Sequence, residues 1–313
     1  MNRTQENRVW DMIILGGGPA GYTAALYAAR AGLSALVLEK LSPGGQMALS
    51  HQIDNYPGFE AGIDGFTLAE KMEAQALRFG AITELAEVLS ADLQACPKVI
   101  STSEGTCYAK TVVIATGAIP RTLGLPKEAS LTGRGVNYCA ACDGMFYRNK
   151  TVAVVGGGNS AAADALLLSR VAKKVIVVHR RDTLRAEKVY HAPLLNAENV
   201  EFRWNSEVTV LLSEDRLTGI RIRNRLSGKE EALSCDGVFI SVGRRPASRL
   251  FENQLALDSA GYVSADETTA TNIPGVYAVG DIRSKPLRQV VTAVADGAVE
   301  VHMAESYLAQ WVV

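Results

Sequence analysis

The chain has 313 residues, 48% of them hydrophobic, with 32 basic and 33 acidic side chains and a net charge of −1. This balance gives no overall field for holding nucleic acid or an anionic membrane, and no apolar run approaches the roughly 20 residues that span a bilayer. The length favours two domains, and the polar first ten residues resemble no signal peptide, so we expect a cytoplasmic protein.

The first predicted element is a short apolar strand over residues 11–15, which breaks into a glycine loop and then a helical stretch over residues 22–30. A G-x-G-x-x-G loop between strand and helix lets the backbone approach a pyrophosphate and directs the helix N-terminus at it. We therefore predict a dinucleotide site formed by Gly16, Gly18, Pro19, Ala20 and Gly21.

The next predicted strand, residues 35–39, ends in Glu39, which lies 23 residues after Gly16. An acidic side chain at this position accepts hydrogen bonds from ribose hydroxyls. We therefore predict that the first loop binds a dinucleotide whose adenosine ribose carries no phosphate, as in FAD.

Two of the five cysteines, Cys139 and Cys142, are separated by only two residues. In a reducing compartment such a pair is either redox-active or part of a metal site. A zinc site needs two further ligands at recognisable spacing, and Cys96, Cys107 and Cys235 supply no second pair. We favour a redox pair and predict no metal.

The strand-loop-helix pattern recurs from residue 151, where a predicted strand leads into a second glycine loop. Its predicted cofactor contacts are Gly156, Gly158, Asn159, Ser160 and Ala161. The following strand ends in His179, again 23 residues after the first glycine, and is followed by Arg180, Arg181 and Arg185. A basic cluster at this place accommodates the additional phosphate of NADPH, although a solvated surface cluster is the simpler alternative.

Two strand-like segments end in glycine and lead to proline, at residues 110–120 and 236–246. Proline suits a linker, and the whole second nucleotide unit lies between these two crossings. The segment 275–281 and the predicted helix 292–308 then return to the first domain. We expect an α/β protein with two three-layer, Rossmann-like domains: an FAD domain of residues 1–117 and 246–313, with an NADPH domain, residues 118–245, inserted into it.

Together, the motifs resemble those of the bacterial-type, low-molecular-weight thioredoxin reductases over about residues 11–308. The matching segments are GGGPAGYTAALYAARAG, GGQ, DNYPG, IATGA, CAACDG, GGGNSA, HRRDTLRAEK and GDIRSKPLRQVVTA. The resemblance implies an NADPH-dependent flavoprotein that reduces thioredoxin, generally as a homodimer.

The resemblance further implies that FAD is lined by residues from several parts of the split domain. The helix after Gln289 would point its N-terminus at the flavin and stabilise negative charge on the reduced ring. The additional FAD contacts implied are Lys40, Gly45, Gln46, Asn55, Ala115, Thr116, Gly117, Gly280, Asp281, Arg288, Gln289 and Val290.

The resemblance also gives the cysteines separate roles. Cys142 would accept electrons from the flavin, Cys139 would exchange with the substrate disulfide, and Asp143 would be the general acid. Asp143 can protonate a thiolate only if its surroundings raise its pKa, and an ordinary turn is the alternative reading of this residue. Ala141 stands where the family often has threonine.

The dithiol and the second glycine loop share one inserted domain, yet both must reach the same flavin. We therefore expect this domain to rotate between the half-reactions. Alternative functions are a dithiol oxidase, a flavin reductase for another disulfide, a ferredoxin-linked relative, or a regulatory protein that binds nucleotides without turnover. The basic cluster after His179 favours a nicotinamide donor, and the intact cysteine pair favours an enzyme.

Overall fold

The structure is a computed structural model that describes residues 8–50 and 52–311. The first ten residues, whose polarity led us to expect no signal peptide, lie mostly outside these described residues. Within them, no helix has the length and apolar character needed to cross a membrane. The described chain separates into two compact units, one formed by residues up to Ile119 and from Arg245 onward, the other by Pro120–Arg244.

Strands and helices are numbered in chain order. The strands are β1 (Val9–Leu15), β2 (Ala35–Glu39), β3 (Ile82–Leu85), β4 (Val88–Asp92), β5 (Lys98–Thr102), β6 (Gly105–Ile114), β7 (Ala118–Pro120), β8 (Val136–Asn137), β9 (Thr151–Val155), β10 (Lys174–Val178), β11 (Val200–Arg203), β12 (Ser206–Ser213), β13 (Leu217–Asn224), β14 (Glu230–Ser234), β15 (Gly237–Ile240), β16 (Arg244–Pro246) and β17 (Val276–Ala278). The α-helices are α1 (Pro19–Arg30), α2 (Gly65–Arg78), α3 (Glu128–Leu131), α4 (Ala140–Asp143), α5 (Asn159–Ser169), α6 (His191–Leu195) and α7 (Val290–Leu308).

The first unit is built on a seven-stranded sheet in the order β3-β2-β1-β6-β5-β4, with β17 also paired to β6. The pairs from β3 to β6 and the β17 pair are parallel, whereas β4, β5 and β6 are antiparallel neighbours. Consecutive residues of β1 face opposite cores, so that Ile13 lies in one apolar cluster and Ile14 in the other. Burial on both faces explains why residues 12–15 of this strand are all apolar rather than alternating.

Helices α1 and α7 pack together in the first unit because both present small residues at their contact. A Cβ added to Gly297 of α7 would collide with the backbone oxygen of Ala20 in α1. Close packing of these helices keeps the N-terminus of α7 in the same unit as the first glycine loop, although the two are far apart in the sequence.

The second unit has a parallel five-stranded sheet in the order β11-β10-β9-β15-β8 and a separate antiparallel sheet β12-β13-β14. The crossing segments β7 and β16 form a two-stranded sheet. The α/β architecture is the predicted one, although the element ends differ. Helix α1 begins at Pro19 instead of residue 22, because proline suits the first helical position, where its missing N–H is not needed.

Candidate active site

The first glycine loop joins β1 to α1. Gly16 has a φ of 111°, and a Cβ added there would lie 2.6 Å from the backbone oxygen of Ala115. A Cβ on Gly18 would meet no described atom within 4 Å, so there is open space at the start of α1. A pyrophosphate can enter this space and accept hydrogen bonds from the helix N–H groups.

Glu39 ends β2 beneath this loop. Its carboxylate accepts hydrogen bonds from the backbone N–H of Gly17 at 2.7 Å and of Leu41 at 3.1 Å. A carboxylate accepts about four hydrogen bonds, so capacity remains for ribose hydroxyls. Lys40 instead forms an exposed ion pair with Glu87.

Several other predicted FAD contacts lie on segments that the fold joins together. The Gly44 N–H donates to the Gly17 oxygen at 2.7 Å, which brings the exposed Gly45 and Gln46 to the first glycine loop. The Asn55 amide donates to the Gln289 side chain at 3.0 Å, across 234 residues of sequence.

Two of the remaining FAD candidates are fixed by hydrogen bonds that they donate to backbone oxygens. Ala115 pairs with the end of β1, and the Thr116 hydroxyl donates to the Ala247 oxygen at 3.0 Å. The connection from β17 to α7 holds a further set of candidates: Gly280, Asp281, Arg288, Gln289 and Val290. The Arg288 guanidinium donates to the backbone oxygens of Asp281 and Arg283 in this connection. It also lies 3.9 Å from the centre of the Tyr262 ring.

A buried charge cluster of Arg283, Lys285 and Asp296 holds the β17–α7 connection. The Asp296 carboxylate accepts two hydrogen bonds from Arg283, at 3.0 and 2.8 Å, one from Lys285 at 2.7 Å and one from the Gly280 N–H at 2.8 Å. The three side chains are only 5–7% exposed. Burial acts to raise the pKa of Asp296, but the hydrogen bonds from both cations outweigh it and lower the pKa.

The sequence analysis did not single out this cluster as a functional feature. Asp296 lies in the second turn of α7 and fixes Gly280, the residue that precedes Asp281. It therefore ties the predicted flavin-binding turn to the predicted flavin-binding helix. Together with the space at Gly18 and the Glu39 carboxylate, this arrangement fits FAD.

The second glycine loop repeats the geometry of the first. Gly156 has a φ of 148°, and a Cβ on Gly158 would again meet no described atom within 4 Å. Ala161 is buried against Gly156, whereas Ser160 is exposed at the start of α5. The open space and the helix N-terminus fit the pyrophosphate of NADPH.

His179 has a different environment from the one that the sequence suggests. Its ring is buried, only 4% exposed, and a Cβ on Gly157 would collide with it. Burial lowers the pKa of His179, and the neighbouring Arg180, Arg181 and Arg185 lower it further. The neutral imidazole therefore packs directly against Gly157 of the glycine loop.

The three predicted arginines are exposed and lie beside this loop. The backbone N–H of Arg185 donates to the Gly157 oxygen at 2.7 Å, so the segment that carries Arg180 and Arg181 folds back towards the loop. The Asn159 side chain exchanges two 2.8 Å hydrogen bonds with Glu187, which closes the other end of this segment. A cation cluster next to an open phosphate cradle fits the 2′-phosphate of NADPH.

The cysteine pair forms a disulfide in the second unit, with the Cα atoms 5.3 Å apart. Cys139 is the N-cap of α4, and its sulfur accepts a hydrogen bond from the Cys142 N–H at 3.2 Å. Both cysteines are half-buried, and Asp143 follows at the end of the same short helix. An N–H group directed at the Cys139 sulfur stabilises its thiolate, which favours this cysteine as the nucleophile.

The residues after the dithiol present an apolar surface that the sequence analysis did not identify. Met145 is 50% exposed and Phe146 43% exposed. Exposed apolar side chains close in sequence to a reactive disulfide make these two residues candidates for contact with a protein substrate. A hydrophobic pair two residues after the C-x-x-C segment was the available signal.

The other cysteines differ in accessibility. Burial raises the pKa of Cys107 to about 11 and that of Cys235 to about 12, whereas Cys96 is exposed. Because only thiolates react readily, we expect a disulfide reagent at pH 8 to label one thiol per oxidised native chain. Labelling should rise to three thiols after unfolding without reductant. Mass spectrometry of the labelled peptides checks this, and rapid native labelling of Cys107 or Cys235 would contradict it.

Comparisons with known proteins agree with this geometry. The family model described as pyridine nucleotide-disulphide oxidoreductase matches residues 10–297. The thioredoxin reductase of Streptomyces clavuligerus is 45% identical, with 96% of this chain and 94% of that protein covered. The thioredoxin reductase of Bacillus subtilis strain 168 is 41% identical, with 97% and 96% covered. The crystal structure of thioredoxin reductase from Streptococcus pyogenes superposes with a TM-score of 0.90 at 42% identity, covering 97% of this chain and 99% of that one.

Proposed function

Because the chain belongs to the pyridine nucleotide-disulphide oxidoreductases and, within them, to the thioredoxin reductases, we propose that the residues described above move electrons from NADPH through FAD and the Cys139–Cys142 pair to thioredoxin. The enzyme class, the cofactors FAD and NADPH, and the predicted α/β fold class are those of the family. The assignment of individual residues is our proposal, and the hydrogen bond from Cys142 to the Cys139 sulfur carries it.

The residues of the chain have separable tasks in this reaction. When bound, NADPH supplies a hydride and FAD passes its two electrons to the disulfide. The first glycine loop and Glu39 hold FAD, and the second loop with Arg180, Arg181 and Arg185 holds NADPH. The buried charge cluster fixes the turn that carries Asp281.

The dithiol completes the reaction by thiol–disulfide exchange. The Cys139 thiolate attacks one sulfur of the thioredoxin disulfide, so that a mixed disulfide forms and one substrate thiolate leaves. Cys142 then attacks Cys139, which restores the internal disulfide and releases the second substrate thiolate. We assign protonation of a leaving thiolate to Asp143, which ends the same short helix. Met145 and Phe146 supply the apolar surface against which the substrate docks.

A spectroscopic cycle tests the proposal directly. Under anaerobic conditions, NADPH should bleach the yellow absorbance of the FAD-loaded enzyme, and oxidised thioredoxin should then restore it. Bleaching without recovery would favour a different disulfide substrate. Recovery by oxygen at the same rate as by thioredoxin would favour an oxidase.

The arginine cluster should determine which nicotinamide cofactor is used. Changing Arg180 and Arg181 to alanine removes charge-assisted hydrogen bonds to a phosphate, so we expect the Kd for NADPH to rise about 100-fold and that for NADH to change less than about threefold. Titration of the FAD-loaded enzyme with NADP⁺ and with NAD⁺, which bind without reducing the flavin, measures the two changes in Kd. An Arg203→Ala variant, which removes a cation paired with Glu201 and Glu231, is a control. Equal weakening of both cofactors would contradict the assignment.

Rotation of the inserted domain stays a prediction. A cross-link between the two units should stop turnover while FAD remains bound, and breaking the cross-link should restore activity. Full activity of the cross-linked enzyme would be incompatible with rotation.

The setting of the enzyme is a further proposal. The family resemblance supports a homodimer, and the chain's composition supports a cytoplasmic protein with neither nucleic acid nor membrane among its partners. Light scattering during size-exclusion chromatography would measure the mass, for which a dimer of the 33.4 kDa chain is expected.

A further inference from the structure

The antiparallel sheet β12-β13-β14, to which the reaction described above assigns no task, supports the arginine segment of residues 179–181. Ser206, the first residue of β12, donates its backbone N–H to the His179 oxygen at 2.9 Å. Asn205 donates its backbone N–H to the Arg181 oxygen at 3.0 Å. The segment is therefore held through its backbone, while the Arg181 side chain stays exposed.

Arg225 completes this support from the turn between β13 and β14. Its guanidinium donates to the Arg180 oxygen at 3.4 Å, and its backbone N–H donates to the Asn205 oxygen at 2.6 Å. Asn205 has a φ of 51°, in the left-handed region that asparagine visits more readily than most residues. The peptide groups of Asn205 therefore bridge the turn of Arg225 to the arginine segment.

The surroundings of the Arg225 side chain favour an effect on Arg180 over a direct contact with the cofactor. The side chain is 50% exposed, and its Nε atom lies 3.6 Å from the Glu207 carboxylate. Solvent and this opposite charge weaken the attraction of Arg225 for a phosphate at a distance. A guanidinium has five N–H donors, so the contact with Glu207 leaves a donor for the Arg180 oxygen.

We propose that Arg225 is a positioning residue that raises the preference for NADPH over NADH by fixing the backbone of Arg180. The proposal rests on the proposed NADPH site, in which Arg180 binds the 2′-phosphate. A side chain that starts from a fixed backbone loses less conformational freedom when it binds its ligand. Because NADH has no 2′-phosphate, the gain in affinity is confined to NADPH.

The test compares cofactors that differ only in this phosphate. The FAD-loaded full chain is titrated with NADP⁺ and with NAD⁺, and the ratio of the two Kd values is measured. In Arg225→Ala, we expect the Kd for NADP⁺ to rise about fivefold and that for NAD⁺ to change less than about 1.5-fold. Arg223→Ala is the matched control, because it removes a neighbouring exposed cation that pairs with the same Glu207 at 2.7 Å. Its ratio should equal that of wild type.

A double-mutant cycle tests whether Arg225 acts through Arg180. In an Arg180→Ala background, the side chain that Arg225 positions is absent, so Arg225→Ala should weaken NADP⁺ binding less than about twofold. A fivefold loss in that background would overturn the positioning role.

The remaining outcomes separate this proposal from the NADPH site itself. An unchanged ratio in Arg225→Ala, or an equal fall of the ratio in Arg223→Ala, would overturn the role of Arg225. Equal weakening of NADP⁺ and NAD⁺ by Arg225→Ala would show an effect on the fold and would overturn it as well. If the Arg180→Ala, Arg181→Ala double variant loses the preference for NADP⁺ while Arg225→Ala keeps it, only the role of Arg225 fails. If the double variant keeps the preference, the NADPH site assignment fails too.

Discussion

The Cys139→Ser variant should lose thioredoxin reduction by about a thousandfold or more, while NADPH still bleaches its flavin at close to the wild-type rate. Serine is a far weaker nucleophile than a thiolate, and without Cys139 no internal disulfide can form to accept electrons. Flavin reduction depends on the two nucleotide sites and not on the dithiol. Stopped-flow absorbance separates the two half-reactions in one instrument.

A matched cysteine substitution controls for this result. Cys96→Ser removes the exposed free thiol and should leave both half-reactions unchanged. The trap is a thioredoxin that lacks its resolving cysteine and carries thionitrobenzoate as a mixed disulfide on the remaining one, so that an attacking enzyme thiolate displaces thionitrobenzoate. It should give an enzyme–thioredoxin mixed disulfide with Cys142→Ser enzyme but not with Cys139→Ser enzyme. Trapping through Cys142 instead would reverse the assignment of the nucleophile.

Asp296→Ala should lower the free energy of unfolding by about 3–5 kcal/mol, because it leaves Arg283 and Lys285 buried without a counter-charge. The same change releases the Gly280 N–H, so FAD should dissociate more readily. Urea denaturation measures the stability, and flavin fluorescence measures the released cofactor. Because the pKa of Asp296 lies below its ordinary value of 3.8, its stabilising effect is complete above that pH and is lost as the pH falls through the lowered pKa.

A triple variant distinguishes loss of the charge balance from loss of packing. Replacing Arg283 and Lys285 with methionine and Asp296 with leucine removes all three charges at similar volume, and such replacements are often tolerated. It should therefore unfold at a higher urea concentration than Asp296→Ala. An Asp296→Ala variant that is as stable as wild type would show that the charge cluster contributes little to the stability.

The sequence predicted the repeated strand-loop-helix units because they depend on local signals. The position of Gly16 or Gly156 between an apolar strand and a helix is visible in the chain itself, and burial on both faces makes the last four residues of β1 and of β9 apolar. The antiparallel strand β4 carries only exposed and half-buried residues, and β12 mixes these with buried ones, so these strands left no equally clear pattern.

Each glycine loop and the cysteine pair could be recognised from a single motif, whereas hydrogen bonds between distant groups left no local signal. Asn55 and Gln289 were each expected near FAD from the family resemblance, but their hydrogen bond to one another was not. The pairing of Asn55 with Gln289 spans 234 residues, and no local signal connects them. Asp296 resembles an ordinary polar residue of a helix, and only the fold shows that two cations converge on it. His179 was predicted by its position after a strand, but its burial beneath Gly157 depends on the packing of the loop above it.

The contrast between Glu39 and the arginines after β10 has a consequence for cells that contain both cofactors at once. A carboxylate held by two backbone N–H groups repels a 2′-phosphate, whereas three exposed cations attract one. Under the proposed assignment, NADPH is electrostatically disfavoured at the first loop, and FAD gains nothing from the arginines beside the second. The opposite charges would therefore keep two loops of similar geometry from exchanging their cofactors.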